Sequence, residues 1–137
     1  MKIRAYRESD EDQVTELWDI VFPSSSTSNN PSKDIDRKLN VQRDLFIVAL
    51  QDDVLIGTAM GGFDGHRGWV YFVAVHPDYQ RQGIASSLMK HTEDELRKIG
   101  CSKLNLQVRA NNAEVIQFYE KLGYVTEERV SMSKRLV

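Results

Sequence analysis

The chain has 137 residues, 41% hydrophobic and 28% charged, with a formal net charge of −2. That length suits one domain with enough apolar material to fold without metal or disulfides, and its single Cys excludes an internal bridge and fits a reducing cytosol. Its 18 Lys and Arg are scattered rather than striped, no apolar run nears the ~20 residues of a membrane span, and the N-terminus lacks a signal-peptide pattern, so neither nucleic acid nor membrane is an expected partner.

Residues 2–7 alternate and predict a first strand. Ser9, with Asp12 three positions on, offers a helix start, and Val14, Leu17, Trp18 and Val21 fall on one face of the helix that follows. Pro23 stops it, and the polar run Ser24–Ser32 reads as a loop. A short helix over about Lys33–Val41 places Ile35, Leu39 and Lys38 along its inner edge. Leu45–Gln51 and Val54–Gly61, separated by Asp52-Asp53, predict a hairpin. A Gly-rich turn, Gly61–Gly68, leads into Trp69–Val75, which is apolar on both faces as a central strand would be. From Gln82 to Ile99 the positions Ile84, Leu88, Thr92, Leu96 and Ile99 keep a helical period, and Gly100 stops it. Leu104–Val108 alternates as another strand, Asn112–Leu122 reads as a helix ended by Gly123, and Tyr124–Arg135 reads as a terminal strand pair or one long bent strand. Hairpin-linked strands first and βα units later argue a mixed α/β sheet in one domain, residues 1–137.

The most informative stretch is Trp69–Leu88, where a strand ends, a short loop follows and Gly83 stands at a helix start. The first amides of a helix lack internal partners and suit a pyrophosphate, and Gly lets a ligand approach the backbone. Spacing alone leaves open the plainer alternative, a helix-start Gly beside a solvated Arg81. The segment is neither a Walker A loop nor a Gly-x-Gly-x-x-Gly fingerprint.

Gln80-Arg81-Gln82-Gly83-Ile84-Ala85 resembles the Gln/Arg-x-x-Gly-x-Gly/Ala motif of the GNAT superfamily, the Gcn5-related N-acetyltransferases. Asn112–Tyr124 resembles that family's second block, Asn-x-x-Ala-x-x-x-Tyr-x-x-x-Gly-Phe, with Val115 in place of Ala and Tyr124 in place of Phe. The resemblance covers nearly the whole chain. It implies a mixed, mostly antiparallel sheet with a splayed parallel pair, flanked by helices, and an enzyme moving acetyl from acetyl-CoA to a primary amine. It further implies that the backbone of Val73 and Val75 pairs with the pantetheine arm and polarises the thioester carbonyl. Arg81, Gln82, Gly83, Ile84 and Ala85, with Ser86 close by, would hold the pyrophosphate, Asn112 would touch the pantetheine, and Tyr119 would protonate the departing thiolate. No metal is implied, and a homodimer is admitted.

Some family members carry a Glu on the strand before the Gly motif, but Trp69–Val75 holds no carboxylate. Asp64, His66, Tyr71, His76 and Glu114 are the available bases, and none is singled out. The missing carboxylate motivates an alternative, a catalytically silent acyl-CoA-binding module. Cys101 reads as a structural thiol, and Trp69 and Tyr71 either line the acceptor cleft or join the core. The mildly acidic balance leans towards a cationic acceptor through steering. Cytoplasmic location is expected.

Overall fold

Asp52 and Asp53 both adopt left-handed backbone, φ 51 and 65, the pairing that a two-residue hairpin turn requires. They join β2 (Phe46–Gln51) to β3 (Val54–Phe63), as the Asp-Asp signal predicts. In this computed structural model residues 1–22 and 30–137 are described, and they divide into two units, Met1–Leu106 and Gln107–Val137. Most of the run Ser24–Ser32 lies outside the described residues.

In the first unit, β1 (Lys2–Ala5), β2, β3 and β4 (Gly68–Val75) pair antiparallel in chain order, and β5 (Leu104–Asn105) joins β4 in parallel. Helices α1 (Glu11–Val21) and α2 (Pro31–Leu39) cover one face. There Val14, Leu17, Trp18 and Ile35 meet Phe46, Val48 and Met60, each large side chain contributing about 1.5–3 kcal/mol by burial. Helix α3 (Ile84–Lys98) covers the other face. Its Ile84, Leu88, Thr92 and Leu96 point inward as the periodicity predicts. A Cβ on Gly57 would meet Leu88 Cδ1 and the Ala74 carbonyl at 3.0 Å, so the missing side chain is what lets α3 lie this close to the sheet.

Several boundaries differ from expectation. The first helix is not capped by Ser9. Residues 8–10 form a 3-10 turn, and buried Asp10 accepts from the Arg7 amide at 2.9 Å and from both Arg4 guanidinium nitrogens at 2.7 and 2.9 Å. Those hydrogen bonds hold its carboxyl below the ordinary Asp value against the opposing effect of burial. Helix α2 begins two residues early, because Asn30 caps it through Lys33 N–H and Pro31 occupies the first helical position. Ile99 follows the last turn of α3 and is 47% exposed rather than inward. Strand β5 is two residues instead of five.

The second unit contains α4 (Ala113–Lys121), capped by Asn112, whose side chain accepts from Val115 N–H at 3.3 Å. Its end is a Schellman arrangement: Tyr124 N–H donates to Tyr119 O and Gly123 N–H to Glu120 O, both at 3.0 Å, with Gly123 at φ 97. Tyr119 and Tyr124 supply the accompanying apolar contact, rings 5.7 Å apart. The strands expected over Tyr124–Arg135 do not form. Among the described residues this unit offers no strand to pair with, and Val125, Val130, Met132 and Leu136 lie exposed.

Candidate active site

Strand β4 ends in a bulge that reorients its backbone. Thr58 pairs with Ala74, but Met60 pairs with Tyr71, so β4 carries one residue more than β3 across this stretch. Phe72 absorbs the excess with φ 52, a conformation that costs a bulky residue energy unless its surroundings hold it. Two buried residues do so. Thr58 Oγ1 donates to the Phe72 carbonyl at 2.8 Å, accepts from Trp18 Nε1 at 2.9 Å, and the Trp18 ring stacks on Phe72 with centroids 4.1 Å apart.

Past the bulge, His76 N–H donates to Ile56 O, so alternation turns Ala74 towards β3 and the backbone groups of Val73 and Val75 away from it. Strand β5 pairs with β4 only at Gly68 and Trp69. Within this unit the edge of β4 from Val70 to Val75 is therefore unpaired on that side.

The loop after β4 closes on the start of α3. His76 Nδ1 accepts from Asp78 N–H at 3.1 Å and shapes the turn, a structural role. Arg81 (φ 63) and Gly83 (φ 77) are both left-handed, and only Gly does this without strain. The first helical bond is Ser87 N–H to Gly83 O at 3.0 Å, which leaves the Ile84, Ala85 and Ser86 amides without partners inside the helix. No acidic residue lies in that first turn, and Arg97 and Lys98 lie in the last, so nothing opposes the positive end of the helix dipole. Arg81, Gln82 and Gly83 are exposed, and open space surrounds the position of a Gly83 Cβ. The arrangement is an anion cradle beside an unpaired strand edge.

In the second unit, Tyr119 is buried and its ring contacts Phe118 at 5.0 Å and Tyr124 at 5.7 Å. Burial pushes its phenol up to about 12. Asn112 spends its side-chain oxygen on the α4 cap.

The other residues considered as bases fall apart chemically. Asp64 accepts from the His66 and Arg67 amides at 2.7 and 2.8 Å, which ties it into the turn and lowers its carboxyl. Glu114 is exposed in the first turn of α4. The Cys101 thiol is buried and donates to the Lys103 carbonyl at 3.3 Å. Tyr71 stands 53% exposed and lines a cleft of about 260 Å³ with Met60, Gly61, Gly62 and the α2 residues Asp34, Arg37, Lys38 and Val41.

Sequence reasoning missed Trp18, Thr58 and Phe72 as determinants of the site. The signal was a lone hydroxyl in the apolar run Leu55–Met60, since a buried hydroxyl demands partners.

Residues 10–124, across the bulge, the cradle and α4, match the model of the acetyltransferase (GNAT) family. The chain belongs to that family. It is an N-acetyltransferase, delivering acetyl to an amine. An acetyltransferase of Yersinia enterocolitica is 43% identical over all of this chain and 96% of its own. The ribosomal-protein-S18-alanine N-acetyltransferase of Escherichia coli is 27% identical, with a TM-score of 0.74 over 89% of this chain and 76% of that one. AAC(6')-Iy, solved with a bisubstrate analogue joining CoA to acetylneamine, shares the fold at a TM-score of 0.83 and 17% identity, over 99% of this chain and 98% of that one. The mixed sheet, antiparallel with a parallel β4–β5 pair and flanked by helices, is the architecture that the family resemblance implies, without the strands expected over Tyr124–Arg135.

Removing the hydroxyl that holds the bulge tests its role in this acetyltransferase. Thr58→Val leaves the buried Trp18 N–H without an acceptor and is expected to cost about 1–3 kcal/mol. The urea midpoint should fall with an unchanged slope; an unchanged midpoint would show that the bulge does not depend on Thr58.

Proposed function

We propose that this acetyltransferase takes its acetyl group from acetyl-CoA and passes it directly to a primary amine. The observation that carries this is the α3 cradle: three amides without helical partners, left-handed Arg81 and Gly83, and a side-chain cation, all at the end of an unpaired strand edge. The residues present fit the diphosphate of CoA, because Arg81 through Ala85 with Ser86 offer amide donors and positive charge without an opposing carboxylate.

In this reading the Val73 and Val75 backbone hydrogen-bonds the pantetheine arm along the β4 edge. A donor there stabilises charge building on the thioester oxygen. The amine nitrogen bonds to the acetyl carbon as the carbon–sulfur bond breaks, and the electron pair leaves with sulfur. Tyr119 donates a hydrogen bond or its proton to that sulfur, while the ammonium proton passes to solvent through ordered water. Asn112 touches the pantetheine. One catalytic domain spans residues 1–137, supported by a family match that runs through both units. The cytoplasm is its location in this reading, supported by a lone reduced thiol.

Calorimetry with acetyl-CoA and CoA, followed by thiol release with an amine panel, tests this. Saturable binding and amine-dependent thiol release are expected. Absence of acetyl-CoA binding would refute the donor, and binding without turnover on any amine would favour the silent acyl-CoA-binding module.

A further inference from the structure

The cleft beside the β4 bulge carries a charge that no described residue neutralises. Its cations are Arg37 and Lys38, and its single carboxylate is Asp34. Asp34 is already engaged by the Arg37 guanidinium at 2.6 Å. Lys38, on α2, is half-buried, donates to the Gly61 carbonyl, and forms no ion pair with any described residue. The residues outside the described set, 23–29, contain no acid. Burial alone moves the Lys38 ammonium below its ordinary value, with no carboxylate acting to raise it. One of its three donors is used, and the cleft is open to supply another acceptor.

Position in the sheet converts this charge into a length. Gly61 pairs with Val70, so Lys38 stands at the level of Val70. Val73, the nearer of the two residues whose backbone meets the pantetheine arm and thioester in the function proposed above, lies three residues further along a bulged strand. Two to three strand steps make about 7–10 Å along the strand, and the crossing from β3 to the far edge of β4 adds to that length. An α-amino acid holds its nitrogen only about 2.5 Å from its carboxylate carbon, whereas an extended dipeptide spans about 7 Å between its ends. Val41, Met60 and Tyr71 line the cleft with apolar surface that suits a methylene stem.

From Lys38 and the cleft geometry we infer that the acceptor is a small amine bearing a carboxylate about 7 Å or more from the reacting nitrogen, as in an ω-amino acid or a short peptide. Lys38 receives the carboxylate while the amine reaches the β4 edge. The local charge thus opposes the cationic acceptor to which the net charge of −2 leans. The inference rests on acetyl-CoA being the donor.

The test compares kcat/KM, with saturating acetyl-CoA, for glycine, 4-aminobutyrate, 6-aminohexanoate, 6-aminohexanamide, glycylglycine, glycylglycinamide and spermidine. Efficiency should rise at least about tenfold from glycine to 6-aminohexanoate and fall at least about tenfold from the acid to its amide. The two acid–amide pairs distinguish an ω-amino acid from a peptide. Lys38→Gln should collapse the acid-to-amide ratio to within about twofold, while Lys38→Arg should retain most of it. Equal use of acid and amide, a ratio that survives Lys38→Gln, or preference for spermidine overturns the inference and leaves the acetyl-CoA reading intact. Loss of acetyl-CoA binding in the parent protein overturns both. If Lys38→Gln does not fold, the acid–amide comparison in the parent decides alone.

Discussion

Gly83→Glu is expected to weaken acetyl-CoA binding by about 100- to 1000-fold while leaving the protein folded. Gly83 sits at φ 77, where a side chain costs about 1–2 kcal/mol. Open space surrounds its Cβ position, so no clash adds to that cost. A carboxylate at a helix N-terminus returns about 0.3–1 kcal/mol through the dipole, so the net loss of stability stays small. Binding responds differently. A unit negative charge about 5 Å from a diphosphate, at an effective dielectric of about 20, costs about 3 kcal/mol per interacting charge. Calorimetry with acetyl-CoA and a parallel thermal melt read the two effects separately. Gly83→Ala carries the backbone strain without the charge, and its affinity should fall far less. Equal losses in the two variants would mean that backbone strain, not anion repulsion, governs the site.

Tyr119→Phe should lower kcat by about 100-fold, the lower end of what a positioned proton donor supplies, with KM for acetyl-CoA within about twofold of the parent. The ring contacts with Phe118 and Tyr124 do not involve the hydroxyl, so the melting temperature should barely change. Burial that raises the phenol to about 12 keeps it protonated through pH 10, where an ordinary tyrosine is half ionised. The sign matters: a raised value extends the donor form upward, so kcat should show no falling limb from this group below about pH 11. The same shift makes Tyr119 a weak acid towards a thiolate, so hydrogen bonding to the leaving sulfur is expected to contribute more than complete transfer. A kcat unaffected by removing the hydroxyl would take Tyr119 out of the chemistry and leave it a core aromatic.

Much of the site is legible in the amino-acid sequence because it is local in the chain. The Gly83 start, the unpartnered amides after it, the Asp52-Asp53 hairpin and the Gly100 and Gly123 stops each depend on a few adjacent residues and on backbone preferences that travel with residue type. Periodicity likewise places Trp18, Ile35 and Leu88 in the interior. The family motifs add the order of elements and the parallel pair, which agree with the observed sheet.

What local pattern does not supply is pairing between distant residues. Nothing around Thr58 says that its hydroxyl meets Trp18, forty positions earlier, and Phe72, fourteen later; the bulge exists because all three meet in the core. Asp10 displaces Ser9 as the organiser of the first helix only because Arg4 reaches it. The alternating tail after Tyr124 has the pattern of a strand, but strands need an edge, and none is available within its unit. Spacing places Lys38 on an inner helix edge; that it is half-buried, unpaired by any acid and open to a cleft is a tertiary fact. The motif that binds the donor is a property of a contiguous segment, whereas the cleft that chooses the acceptor is assembled from α2, β3 and β4. Contiguous segments are read from sequence because their geometry is set by neighbours along the chain, and clefts are decided only when folding brings separated residues together.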